Sequence, residues 1–590
     1  MNTINLCFEL PEMIGDSFTE EFFVGIWHPT ANLEISVSES IATSSVKGRN
    51  WAIVSSDFPF SHSGNGLVHT RSTHKESAIE KNDSELVVFR GYILEPAIHT
   101  WSQSEDILNY WQQKHYCHNG VFATVMVGDG GNELKLITDA FGIATLYYRE
   151  FSGGILFSTN TRFLKVENDQ LDKISASILM HCGSVYGNRT LSEGVSRVPP
   201  GTVMRCTKEG ESCQRWFSYS SLPTGAKPIT LSSLRNVEDA FQTSMERCLR
   251  LQTSGYVLPL SSGYDSRRIL AALHSRKVPF SSLTVRVLQK ENRDLDGYWA
   301  SVMAKDLDFE HQVVELPAPE GYAHFDSLRS LLVDSHGTEH TWFLAMSPYL
   351  PQKSCLIFDG LGGDVFGNTG FGVAELHTTD ENTKIHMIMD ELFSDKFKNI
   401  FKTSQWPNIQ LVRESLSTFL EELPDGKNKS DLAFLWMRCR SGPGMCFQRL
   451  IPAGNVTVYP YFDLDYVQLT LDFDPLEKIP PNTIQARCLA KFWPRYFAFP
   501  GSRSIPSETK PGNPMFYEAL NIACLNRIKR EAGLTEWLTL RRILKPRAFA
   551  ISCLSLLSKR AQYRISWWLG TLLLMVQRDN NKKCWSIGAK

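Results

Sequence analysis

The chain has 590 residues, of which 42% are hydrophobic and 21% charged, enough to bury two full cores and too apolar for a disordered protein. Lys plus Arg total 61 against 63 for Asp plus Glu, a balance that argues against a nucleic-acid partner, whose phosphates call for a strongly basic surface. The 13 cysteines are scattered without CxxC spacing, and the start MNTINLCFEL has neither the basic nor the apolar region of a signal peptide. A reducing cytoplasm is the expected setting, and neither a zinc site nor a disulfide is called for.

In chain order, short β-rich runs come first, among them Leu134 to Thr138 and Ile155 to Ser158, separated by Gly and Asn turns. Ser218 to Pro228 is rich in Ser, Pro and Gly, the punctuation of a linker, so a domain boundary is expected within Phe217 to Leu234. Beyond it strands alternate with longer helices, the pattern of a parallel sheet. No internal repeat is seen.

Tyr256, Val257, Leu258 and Leu260 form a short apolar run suited to a buried parallel strand. Ser261, Ser262, Gly263, Tyr264, Asp265 and Ser266 then make a turn into a helix marked by Ile269, Leu270 and Leu273, with Ser266 as its expected N-terminal cap. Free amides at a helix start, backed by the dipole, favour an anion, and phosphate is the natural guest. Asp265 would repel it unless a cation lay between, and Mg2+ takes one or two carboxylates together with phosphate oxygens. Phe358 to Gly367 (FDGLGGDVFG) repeats the construction, and Asp364 offers the second carboxylate. Either turn alone is equally a helix cap; paired, they favour a nucleotide site.

Asp380 to Asn399 and Leu411 to Leu423 interleave charge with apolar residues and are expected to be exposed helices. Between Arg541 and Arg578 apolar residues, Trp567 and Trp568 among them, alternate with Lys545, Arg547, Lys559, Arg560 and Arg564. No run there reaches the roughly 20 apolar residues a bilayer demands. Packing of this basic amphipathic tail on the preceding domain is the first expectation, and peripheral contact with a membrane surface the second.

At these residues the chain resembles a family. The first turn is similar to the SGGxDS pyrophosphatase loop of asparagine synthetases and their relatives, including β-lactam synthetases and lasso-peptide cyclases, with Ser262 for the first glycine. The second resembles their SGxGxDE loop, with Asp359 for Ser and Val365 for Glu, while Gly360, Gly362 and Asp364 keep their places. Tyr459-Pro460-Tyr461-Phe462-Asp463 resembles the family's VPFLD segment, and Ile505 to Gly512 its late basic loop, whose lysine is Lys510 here. Asn119 to Ala123, Thr138 to Ile143, Leu146 to Tyr148 and Val198 to Gly201 look like its N-terminal glutaminase-type domain.

The resemblance implies an α+β Ntn-hydrolase-like sandwich over residues 1–217, a linker over 218–234, an α/β adenine-nucleotide α-hydrolase-like (PP-loop ATP pyrophosphatase) domain over 235–540 and an extension over 541–590. In working glutaminases of the family a cysteine follows the initiator Met. Asn2 stands there, the nearest thiol is Cys7, and Arg90-Gly91 replaces an Asn-Gly pair whose Asn helps stabilise the oxyanion, so no glutaminase activity is expected.

The implied cofactors are ATP and Mg2+, the metal held by Asp265 and Asp364. Backbone amides from Ser262 to Ser266, next to Ser261, would cradle pyrophosphate. Leu260, Val287 in a strand Leu283 to Leu288, Asp359 and Gly360 would contact adenine and ribose, and Lys510 would neutralise charge at the adenylate. Leu361 stands at the position that varies with the acceptor, and it can neither accept a proton nor orient an amine. A base is therefore expected from Glu339-His340 or not at all, since an amine held close attacks an activated acyl group unaided. The expected activity is AMP-forming amide synthesis from a small-molecule, peptide or glycan carboxylate and ammonia or an amine. Ammonia-dependent asparagine synthesis and a degenerate nucleotide-binding homologue stay open as alternatives, and so does a homodimer.

Overall fold

The computed structural model describes residues 3–8, 22–37, 43–47, 50–56, 68–71, 85–95, 97–99, 110, 118–167, 169–333, 340–351, 354–371, 374–377, 380–392, 409–501, 504–554, 569, 571–573, 575 and 585–587. The strands are β1 (Thr3–Phe8), β2 (Phe23–Trp27), β3 (Asn32–Val37), β4 (Thr43–Lys47), β5 (Trp51–Ser56), β6 (Val68–Arg71), β7 (Glu85–Ile93) and β8 (Ile98–His99). They continue with β9 (Gly120–Gly128), β10 (Glu133–Thr138), β11 (Tyr147–Phe151), β12 (Gly154–Ser158), β13 (Ser196–Arg197), β14 (Thr202–Thr207) and β15 (Gly210–Arg215). The second half contributes β16 (Tyr256–Pro259), β17 (Ser281–Val285), β18 (His311–Val314), β19 (Cys355–Phe358) and β20 (Asn455–Val458), and β21 (Trp585–Ile587) lies near the C-terminus.

Two antiparallel sheets form the body of the first half, one ordered β15-β14-β10-β9-β7-β6 with β8 beside β7, the other β13-β11-β12-β2-β5-β4, while β1 and β3 belong to a separate three-stranded sheet. The apolar faces of the two larger sheets share one core, in which Phe23, Trp27, Ile53 and Phe157 of one sheet join Val88, Val121, Val125 and Leu136 of the other. Such two-sheet packing is what short alternating strands separated by turns produce. The Trp27 indole N–H donates to the Gly131 carbonyl at 2.7 Å, so the ring is both buried and satisfied.

The second half is built on a parallel sheet ordered β18-β17-β16-β19-β20. Its strands are short; the interior strand β19 (Cys355-Leu356-Ile357-Phe358) is wholly apolar and buried, while β17, β18 and β20 mix Ser, Thr, His, Gln and Asn with Val and Leu, and edge strand β18 is buried only at Val314. Central β16 is followed in the chain by β17 on one side, while β19 lies on the other. The strand order therefore reverses between β16 and β19, and the connections that leave their C-terminal ends part there and leave a crevice. Both acidic turns begin at those two ends.

The two halves are not joined through a solvated linker alone. In the Ser/Pro/Gly-rich stretch Tyr219 is buried, its hydroxyl donating to the Ala140 carbonyl at 3.4 Å and accepting from the Trp436 indole. The following helix starts at Leu231, capped by a reciprocal pair between Thr230 and Ser233. Helices Glu381–Leu392 and Ile409–Glu421 do not lie fully exposed, because Ile388, Val412, Leu416 and Leu420 are buried.

The tail packs on the preceding domain, as expected, and on the first half as well: Leu544, Leu569, Leu572 and Met575 form one cluster with Leu525, Ile528 and Leu540 and with Ala176, Leu179 and Met180 of helix Lys173–Cys182, which belongs to the first half. Strand β21 then pairs antiparallel with β1, whose other neighbour is β3. The sequence shows an amphipathic tail but not this second contact, a helix more than 300 residues away in the chain. Trp567 and Trp568 lie outside the described residues. Among the described residues no helix is long and apolar enough to cross a membrane.

Candidate active site

The first turn leaves β16 at Leu260, which is buried and anchored to the next strand by its amide on the Leu283 carbonyl at 2.8 Å. Ser266 is not the cap of the helix that follows. That helix runs Tyr264–Ser275 with Gly263 at its cap position, and the Ser266 hydroxyl folds back to accept from the Ser261 amide at 3.1 Å. The amide cradle is also partly taken. Ser262 donates both its amide and its hydroxyl to the Asp296 carboxylate, at 2.7 and 2.5 Å, and the Gly263 amide donates to the Ser261 hydroxyl at 3.1 Å. Asp296 thus puts an anion of the protein's own on the turn that the sequence offered to phosphate.

The second turn follows β19. Asp359 accepts from the Leu361 amide at 2.7 Å, an Asx turn that swings the chain toward Gly362. Gly362 has φ of +91°, a conformation that side chains rarely adopt, and it starts the short helix Gly363–Gly367. At Gly363 the two turns meet: a Cβ there would stand 2.5 Å from Oδ1 of Asp265. The first carboxylate is therefore wedged against the backbone of the turn that bears Asp364.

Three carboxylates share this crevice. Asp265 is raised well above its ordinary pKa, first by burial and then by the charge of Asp364. Asp359 is pushed up to about 7, chiefly by burial, with the Leu361 amide pulling the other way. Asp364 opens to solvent at the mouth, yet the enclosing walls still raise its pKa, while Arg438 lowers it. The charge of Asp364 adds to the rise at both Asp265 and Asp359, and the hard oxygen donors gathered here are of the kind Mg2+ takes. Among the described residues no group of three or more His, Cys, Asp or Glu side chains converges as a metal cage. Two carboxylates plus oxygens from a phosphate substrate is the arrangement that fits this donor set.

Several residues that sequence reasoning passed over hold the site. Arg268, fully buried one helical turn beyond Asp265, donates to Glu238 at 2.8 Å and to Gln485 at 2.6 Å, and it offsets part of the rise at Asp265. Gln485 in turn donates to the Gly363 carbonyl at 2.7 Å and so ties the two turns together. Arg267 donates to the carbonyls of Ser262 at 2.5 Å and Phe499 at 2.6 Å. The signal was present as Arg267-Arg268 inside an apolar helix face, since a guanidinium in such a stretch is kept only with partners.

Val287 lies past the end of β17, which stops at Val285, in the connection leading to Asp296. Lys510 is exposed, on a loop that packs against this connection: the Gly512 amide donates to the Asn292 carbonyl at 2.7 Å and Arg293 to the Thr509 hydroxyl at 3.1 Å. Leu361 is buried. His340 has φ of +63° and packs among Trp342 and Phe447, and burial pushes its pKa down to about 4. The ring is neutral near pH 7 and too weakly basic to hold a proton there, which argues against it as general base. Glu339 and Asn2 lie outside the described residues.

In the first half, the Asp139 carboxylate accepts from the amides of Phe141, Ile143 and Ala144 at 2.9 to 3.1 Å and fixes the turn between β10 and β11. Residues 94–217, which contain this turn, match the glutamine amidotransferase domain family. The chain carries a glutamine amidotransferase-type domain. Arg90 lies before the matched stretch and reaches across to the second half, donating to the Gln448 carbonyl at 3.3 Å beside an interdomain cavity of about 30 Å3. No curated protein matches the chain. Among solved structures, an allosteric regulatory enzyme of purine biosynthesis is 12% identical over 51% of this chain and 75% of its own, with a TM-score of 0.21. The glutamine phosphoribosylpyrophosphate amidotransferase of B. subtilis, complexed with ADP and GMP, is 11% identical over 60% of this chain and 72% of its own, with a TM-score of 0.18. At such scores neither likeness carries an argument.

Proposed function

We propose that this chain is an ATP-dependent, AMP-forming amide synthetase of the asparagine-synthetase type, with an amidotransferase-type domain that supplies no ammonia of its own. The observation that carries the reading is the wedge of Asp265 against Gly363, which brings two acidic turns together at the reversal point of a parallel sheet. A carboxylate cannot expel oxide, so its oxygen attacks the α-phosphorus of ATP and pyrophosphate leaves. An amine nitrogen then attacks the acyl carbon, loses a proton, and AMP departs with the carboxylate oxygen.

Leu260 and Val287 form the apolar wall for adenine in this reading, and Asp359 and Gly360 lie on the ribose side. The amides of Tyr264 to Ser266 face the phosphates, and Lys510 closes over them from its loop. Mg2+ between Asp265 and Asp364 would neutralise phosphate charge as pyrophosphate leaves. With Leu361 buried and apolar and His340 neutral, the acceptor is an amine that arrives unprotonated and is positioned rather than activated.

Hydroxylamine tests this without knowledge of the natural acceptor. With ATP, Mg2+ and a panel of carboxylates, the reading predicts a hydroxamate together with AMP for at least one acid. ADP in place of AMP, or no hydroxamate from any acid, would contradict it. Arg90, at the place of the oxyanion-stabilising Asn, adds the expectation that the protein releases no glutamate from glutamine.

A further inference from the structure

The segment Tyr459–Asp463 touches both acidic turns and is held at its two ends by the other half of the protein. At one end the Tyr459 amide donates to the hydroxyl of Tyr92, in β7, at 2.9 Å within the core. At the other end Asn119, just before β9, donates to the Asp463 carboxylate at 2.8 Å and accepts from the Leu464 amide at 3.0 Å. Between these anchors the chain makes one tight turn, the Phe462 amide donating to the Tyr459 carbonyl at 3.0 Å. The Tyr461 hydroxyl donates to the Asp265 carbonyl at 2.8 Å, and the Phe462 ring closes on Gly362, where a Cβ would stand 2.8 Å away. The same ring packs on Phe141 of the amidotransferase-type domain, centroids 5.3 Å apart. Ser244 and Arg247 of the second half also grip the segment, at the Pro460 carbonyl and the Asp463 carboxylate, so it is a short bridge held from both sides.

We propose that Tyr92 and Asn119 are positioning residues for the acidic turns, and that the amidotransferase-type domain serves the second half as a jig for Asp265 and Gly362 rather than as a source of ammonia. A small error in placement is costly, because misplacement by about 1 Å can lower a rate by about a hundredfold. The inference rests on the proposed activity only for its kinetic consequence; the mechanical linkage stands on the contacts themselves.

Two variants of the full-length protein separate these parts. Tyr92→Phe keeps the ring and removes the hydroxyl, and Asn119→Leu, at the half-buried rim, covers the case in which the first does not fold. Hydrogen exchange is expected to quicken about tenfold or more at the amides of 260–268 and 359–366, with the outer strands of the first half unchanged. ATP–pyrophosphate exchange is expected to lose about tenfold in kcat while KM for ATP stays within about twofold. Unchanged turn amides in both variants, exchange quickened equally everywhere, or quickened turns with a wild-type kcat would each overturn the proposal. A wild-type protein without pyrophosphate exchange, whose turn amides still respond to these substitutions, would overturn the synthetase reading and leave the linkage supported.

Discussion

At the scale of single residues, Gly363 and Asp359 make the site unlike a plain pair of helix caps. Because a Cβ at Gly363 would fall 2.5 Å from the Asp265 carboxylate, Gly363→Ala should displace that group. About a hundredfold loss in adenylation is expected with little change in melting temperature; wild-type activity in this variant would contradict the geometry. Asp359 gives a pH test. Its ordinary pKa is 3.8 and the folded protein raises it to about 7, so the folded state holds the proton more tightly than the unfolded one. The stability it contributes is fully present below about pH 4 and is lost as pH rises through 7. Asp359→Asn keeps an acceptor for the Leu361 amide but does not ionise. Its stability relative to wild type should therefore climb between pH 4 and 8, by a few kcal/mol in order of magnitude. Denaturant titrations showing a constant difference would refute this. The two turns that bear Asp265 and Asp364 could be singled out because strand, glycine and carboxylate lie together in the chain, and the structure sets them against each other. Asp296 and Gln485 were not, since each reaches the turns from another element.

At the scale of elements, the loop that carries Lys510 is positioned by its neighbours. Arg293 holds Thr509, the Asn292 carbonyl holds Gly512, and the Trp299 indole donates to the Ser504 carbonyl at 3.2 Å. Arg293→Ala should loosen the loop, faster hydrogen exchange at 504–512 being the expected sign, and lower kcat with the acidic turns undisturbed. The alternation of short strands and helices after the linker predicts the parallel sheet, and the structure contains it. What misled were the ends of elements. The helix at the first turn begins two residues before Ser266 because Gly263 takes the cap position, and β17 stops short of Val287. Helix and strand ends fray by a residue or two and carry little pattern of their own, so composition reflects them poorly. The tail shows a second limit, for its apolar face was visible but not the first-half helix that also receives it. Removing residues 585–590 takes β21 from β1, and a melting temperature lower by at least about 2 °C is expected.

At the scale of the whole molecule, buried arginines of the second half enter the first. Arg440 donates to the carbonyls of Gly142 and Val198, each at 3.0 Å, and Arg449 donates to Thr145 and to the Thr159 carbonyl. Such ties predict a single cooperative unfolding transition. Arg440→Met leaves carbonyls without donors and should cost about 2–4 kcal/mol in denaturant unfolding, whereas a change below 0.5 kcal/mol, on the order of a surface substitution, would show that the halves are not so coupled. The sequence made both halves visible through their motifs, but a guanidinium that crosses between them carries no local pattern. The central claim is that Asp265 and Asp364 serve one reaction, and ATP–pyrophosphate exchange measures it most directly. In the presence of an accepted carboxylate the wild-type protein should exchange labelled pyrophosphate into ATP, and Asp265→Asn and Asp364→Asn should each abolish exchange while remaining folded; exchange that survives either substitution would contradict the account.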